Sequence, residues 1–195
     1  MSDRRVRQIL ASATSSGKVV LLPDAIEHQN LSPECKAMLP FTADAFKHFY
    51  ETYSGKKLLQ LHYDWVKAFV EHRNLLINIP PRHGKSHIFT TWVPMWLITR
   101  NRDEQILLVS KTGDLVKTLS QELDNHLRQN RQLIEDFGRF KPEQDEGQWV
   151  PSKGQFVVVG RHRELKPGQW SILCRGSGQQ TLGMEASVII VDDCT

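Results

Sequence analysis

The chain has 195 residues, 39% of them hydrophobic and 24% charged, and a net charge of +3. That composition excludes a disordered chain, and no apolar run approaches the roughly 20 residues a membrane span needs, so one α/β domain is the expectation from size. The mild positive charge permits contact with nucleic acid without arguing for it.

The N-terminus, MSDRRVRQIL, is charged and carries no apolar stretch of signal length. Residues 1 to about 55 read as a helical leader or lid region, ahead of a domain from 56 to 195. Asp3 to Ala13 is a short basic segment. SPECKAMLPF and TADAFKHFYETYSG follow, the second with Thr42 placed as N-cap and Gly55 as stop. Ala45, Phe46, Phe49 and Tyr53 recur at helical spacing and predict a core-facing stripe. LLQLHYDWVKAFVEHR, 58 to 73, predicts a second helix with Leu61, Trp65, Ala68 and Phe69 on one face.

Leu75 to Ile79 predicts a buried strand that runs into Pro80-Pro81-Arg82-His83-Gly84-Lys85-Ser86. The last three residues end a phosphate-cradling pattern, G-x-x-x-x-G-K-[ST]. In such a loop, backbone N–H groups and the next helix's N-terminus face an anion. Lys85 would neutralise the β- and γ-phosphates of ATP, and Ser86 would take a place in the Mg²⁺ shell. The loop is irregular. Ile79 stands where the first glycine belongs, and Pro80 and Pro81 offer no N–H. Arg82 can compensate with a guanidinium beside the γ-phosphate. Pro81, Arg82, His83, Gly84, Lys85 and Ser86 are therefore the expected nucleotide contacts. Tyr63 is a candidate to stack on the base, with a place in the core as the other reading.

The helix after the loop is expected over Lys85 to about Thr99, kinked or broken near Pro94. Gln105 to Ser110 predicts a strand buried on both faces, as in a parallel sheet. Asp114 to Asn130 predicts a helix with Leu115, Leu119, Leu123 and Leu127 on one stripe. Residues 138 to 155 read as irregular, and 155 to 159 and 171 to 175 as short strands. Arg161 to Gln169 between them reads as an exposed basic turn. Arg161, His162, Arg163 and Lys166, together with Lys111, are candidates for DNA contact, against a simply solvated turn. Cys35, Cys174 and Cys194 show no C-x-x-C pairing, so reduced thiols fit better than zinc or disulfides.

Ser187 to Val191 is the last predicted strand, and it runs into Asp192-Asp193. A carboxylate ending an apolar strand holds Mg²⁺, and a neighbouring one can orient the attacking water. Asp192 is the expected metal ligand and Asp193 the expected water activator.

IPPRHGKS, the helix before it with His62-Tyr63, FTTWVPMWLITRNRDEQILLVSKTGDLV after it, and SVIIVDD closely resemble the ATPase domain of phage large terminase subunits. The match covers about Leu58 to Asp193; the leader before 55 takes no part in it. The resemblance implies an ASCE-type P-loop NTPase fold, α/β, with a mainly parallel central sheet flanked by helices. It implies ATP-driven translocation of double-stranded DNA through a portal protein into a procapsid in the host cytoplasm, with a small terminase subunit and a ring of copies as partners. It also gives Arg82 a phosphate contact and Asp192 and Asp193 the acidic-pair role. In that family the second acidic residue is commonly Glu. An arginine ahead of the acidic pair can act across a subunit boundary, and Arg175 is the candidate; the family's other arginine position is Met184 here. The family's coupling motif and nuclease domain have no counterpart in these residues, so the domain is expected to be C-terminally truncated and the sheet to lack a strand. Two alternatives stay open: another P-loop helicase or translocase, and a nucleotide-binding fragment without turnover.

Overall fold

The computed structural model describes residues 30–143, 147–179 and 185–192. The basic segment Asp3 to Ala13, Met184, Asp193 and Cys194 lie outside the described residues.

Ser32 caps α1 (Pro33–Ala37) by accepting from the Cys35 amide. Thr42 then caps α2 (Ala43–Ser54) through the Ala45 amide, and Gly55 ends it in the left-handed conformation, φ 66°. The predicted stripe Ala45, Phe46, Phe49 and Tyr53 is buried. α3 (Gln60–Glu71) turns Trp65 and Val66 inward, whereas Leu61, expected on that face, is exposed.

The helix after the phosphate loop starts where Gly84 O accepts from Ile88 N. It has a π-helical stretch, His87–Trp92, before α4 (Val93–Arg100). Pro94 has no N–H, so it cannot continue the i→i−4 ladder. The Val93 amide bonds Ile88 O, five residues back, and the irregularity expected at Pro94 is taken up by this wider turn. Every residue from Ile88 to Thr99 is buried. Trp92 and Trp96 pack against Phe46, Phe49 and Tyr50, and the Trp96 indole donates to Met38 O at 2.8 Å. Burying such aromatics contributes about 2 kcal/mol each, and it joins the leader helices to the loop helix in one core.

β1 (Ile106–Ser110) follows, then α5 (Gly113–Gln129) and α6 (Arg131–Phe137). Thr112 and Asn130 cap the two helices. The buried line on α5 runs Val116, Ser120, Leu123, Leu127, and Leu115 is exposed. A strict i, i+4 leucine row drifts about 40° per step around a helix of 3.6 residues per turn, so it cannot stay on one face.

Among the described residues, β1, β2 (Trp149–Val150), β3 (Gln155–Phe156), β4 (Ile172–Gly176) and β5 (Val188–Asp192) form one sheet in the order β2-β3-β4-β1-β5. β1 is parallel to β4 and to β5. β2 and β3 are antiparallel, as are β3 and β4. The mainly parallel sheet expected from the sequence is thus corrected to a mixed one. The cause is the tight turn Pro151–Lys153 with Gly154 at φ 64°, since four residues can join antiparallel strands but not parallel ones. Gly154 is needed there: a Cβ would come within 2.7 Å of the Cys174 side chain. Burial against that turn pushes the Cys174 thiol up to about 11.

A second correction concerns Leu75 to Ile79. These residues are extended but join no ladder, and Leu76 is 91% exposed. An apolar run becomes a strand only with a neighbour to pair with, and the nearest sheet edge, β5, is separated from residues 75–77 by a cleft of about 650 Å³. β1 is buried on both faces as predicted. β5 is not: Ile190 and Asp192 face inward, and Ile189 and Val191 are exposed.

Candidate nucleotide-binding site

The register of the three parallel strands places Ser110, Gly176 and Asp192 side by side at their carboxyl ends. In open α/β sheets this is the edge at which ligands bind. Asp192 closes β5 with its side chain 10% exposed, and Lys85 Nζ lies 3.4 Å from its Oδ1. Two residues 107 positions apart, each singled out by local pattern alone, thus meet in one ion pair.

The loop before Lys85 is held in an uncommon shape. Arg82 has φ 71° and Gly84 φ 79°. A left-handed arginine costs about 1 kcal/mol or more and persists only where neighbours impose it. His83 Nδ1 is 3.0 Å from Pro80 O and 3.1 Å from Pro81 O. From outside the loop, His62 Nε2 on α3 lies 2.8 Å from His83 O. The residues from Ile79 to His87 line a concavity of about 480 Å³. The amides of the first helical turn have no preceding helical carbonyl to bond, so the concavity is suited to an anion. Ser86 sits in that turn, and its carbonyl accepts from Thr90 Oγ1 at 2.6 Å.

Directly after the loop, the Trp92 indole donates to His87 Nε2 at 3.0 Å, which leaves the proton on Nδ1 to bond Glu122 Oε1 at 3.2 Å. This bond holds the Glu122 carboxyl below the usual carboxylate range against the opposing effect of burial. His126, its ring tilted 58° to that of Trp92 at 4.9 Å, is pushed down by burial. The sequence names His62 only within the resemblance and gives it no role, and it does not single out His87 or Glu122, because a histidine's partner across 21 or 35 residues leaves no local signal.

The other predicted residues are more scattered. Tyr63 donates to Asp44 Oδ1 at 2.9 Å, and that bond raises its phenol. Arg175 Nη1 donates to Lys153 O and Cys174 O, and burial lowers its guanidinium. Asp193 lies outside the described residues. The basic turn is partly structural: Arg161 donates to the carbonyls of Arg102, Asp103 and Glu104 and to Ser171 Oγ. The amides of His162 and Arg163 donate to Asp103 Oδ1, and Lys166 pairs with Glu185.

The donor set fits a magnesium nucleotide rather than a protein-caged metal. Among the described residues no cluster of three or more His, Cys, Asp or Glu could hold an ion. One carboxylate and one hydroxyl beside an anion cradle match the way Mg²⁺ is held, with phosphates and water filling the remaining positions. Among the described residues, no helix is long and apolar enough to cross a membrane.

No curated protein and no solved structure matches the chain. A family model, terminase large subunit, T4likevirus-type, N-terminal, matches residues 76–195, which is more than half of the chain and runs from the phosphate loop through β5. The chain belongs to this family of terminase large subunit N-terminal domains and so has a role in viral DNA packaging.

Proposed function

We propose that this chain binds ATP and Mg²⁺ in the loop 80–86 and hydrolyses the nucleotide to drive double-stranded DNA into a procapsid. The observation that carries the reading is the Lys85–Asp192 ion pair, which brings the loop lysine and the strand-ending carboxylate to one point. The two charges hold each other while no phosphate is bound. With ATP bound, Lys85 would neutralise the β- and γ-phosphates, and Asp192 with Ser86 would hold the metal. Bound Mg²⁺ would neutralise charge on the phosphate oxygens. Arg82 adds a guanidinium at the γ-phosphate, and Pro81, His83 and Gly84 shape the cradle. Asp193, next in the chain, would orient the attacking water. Tyr63, which donates to Asp44, is the candidate to stack on the base, and Arg175, which donates to Lys153 O and Cys174 O, is the candidate to act across a subunit boundary. The P-loop NTPase fold belongs to this reading, as do a portal protein, a small terminase subunit and a ring of copies in the host cytoplasm.

Phosphate release measured with and without double-stranded DNA tests this. Mg²⁺-dependent turnover that DNA stimulates is expected. ATP binding without turnover would favour a nucleotide-binding fragment instead.

A further inference from the structure

We infer that His62 is a positioning residue for the phosphate loop, turning the Gly84 amide toward the bound phosphate. The inference rests on the nucleotide-binding reading above. His62 Nε2 donates to the carbonyl of His83 at 2.8 Å. That carbonyl shares a planar trans peptide with the Gly84 N–H, and in such a peptide the two groups point in opposite directions. Fixing the carbonyl on α3 therefore fixes the N–H away from α3, into the loop. The ring also packs on Gly84 itself: a Cβ there would lie 3.2 Å from His62 Nε2 and 3.3 Å from Cε1. Glycine is thus favoured at 84 twice over, by φ 79° and by this close approach.

The Gly84 amide counts for more here than in a glycine-rich loop. Pro80 and Pro81 contribute no donors, so each remaining N–H carries a larger share of the anion's hydrogen bonds. His62 is well placed to hold it. Its ring lies 5.1 Å from the buried Trp65 ring, and the next residue, Tyr63, ties α3 to α2 through Asp44.

The test is a MgATP titration of the full chain with His62→Ala and His62→Gln. Ala removes the donor and is expected to weaken binding by about five- to thirtyfold, with the melting temperature little changed. Gln can still donate to His83 O and is expected to restore affinity to within about threefold. Equal affinity in wild type and His62→Ala overturns the inference, as does a folded His62→Gln as weak as Ala. Imidazole ¹⁵N NMR of the wild-type chain needs no variant. A proton on Nε2 is expected, and an Nε2 without one contradicts the inference. If wild type itself binds no ATP, the nucleotide-binding reading fails, whereas the protonation of Nε2 still reports on the contact.

Discussion

Lys85 Nζ stands 3.4 Å from Asp192 Oδ1, closing the phosphate loop against the carboxyl end of β5. The lysine side chain is 26% exposed and the carboxylate 10%. Water therefore reaches the lysine more readily than its partner, and an incoming phosphate can compete for Lys85 while Asp192 stays sheltered.

Asp192→Asn keeps the shape of this contact and removes its charge. In wild type, Mg²⁺ is expected to raise ATP affinity by about tenfold or more, worth about 1.4 kcal/mol. In the variant that gain is expected to fall below about twofold, while metal-free ATP binding persists because the Asp192 charge no longer competes with phosphate for Lys85. Calorimetric titration with and without Mg²⁺ reads both. An undiminished Mg²⁺ effect would remove Asp192 from the metal's shell.

Arg82→Gly separates strain from function. Glycine adopts φ 71° without the penalty an arginine bears, about 1 kcal/mol, although it loses more backbone entropy on folding. The variant is expected to melt within a few degrees of wild type or above it, yet to bind ATP about tenfold more weakly for want of the guanidinium. Thermal denaturation and nucleotide titration together check this. Unchanged affinity would mean that Arg82 does not touch phosphate.

Acid should loosen the junction between the loop helix and α5. His126 is pushed below its ordinary value by burial, so it contributes stability above about pH 6.5 that is lost as pH falls toward its folded value. Glu122, held low first by His87, loses its contribution at lower pH still. Melting temperature is expected to change little from pH 7.5 to about 6.5 and to fall from there to 5.5, and His126→Asn is expected to flatten that fall. An identical slope in the variant would place the sensitivity elsewhere.

Much of this was legible in the sequence wherever the determinant is local. Thr42, Gly55 and the aromatic row between them define α2 because caps and helical spacing act within a few residues. Gly84-Lys85-Ser86 and Asp192 were legible because a phosphate loop and a strand-ending carboxylate are each short patterns; that Lys85 and Asp192 meet is a long-range contact no local pattern carries. The mixed sheet was not legible, since β2 and β3 are two residues each and too short to show a period. Leu75 to Ile79 reads as a strand on composition, but pairing depends on a neighbour that composition does not reveal. The basic turn read as free charge. Arg161 is committed to four backbone carbonyls and a serine hydroxyl, a mostly non-local use that charge counting cannot detect.

The central claim is that Lys85 and Asp192 form a nucleotide site. Titration of the full chain with MgATP, wild type against Lys85→Ala, tests it most directly. Saturable binding by wild type and a loss of at least about a hundredfold in the variant, with the fold retained by circular dichroism, is the predicted result. Equal binding by both chains, or none by the wild type, would contradict it.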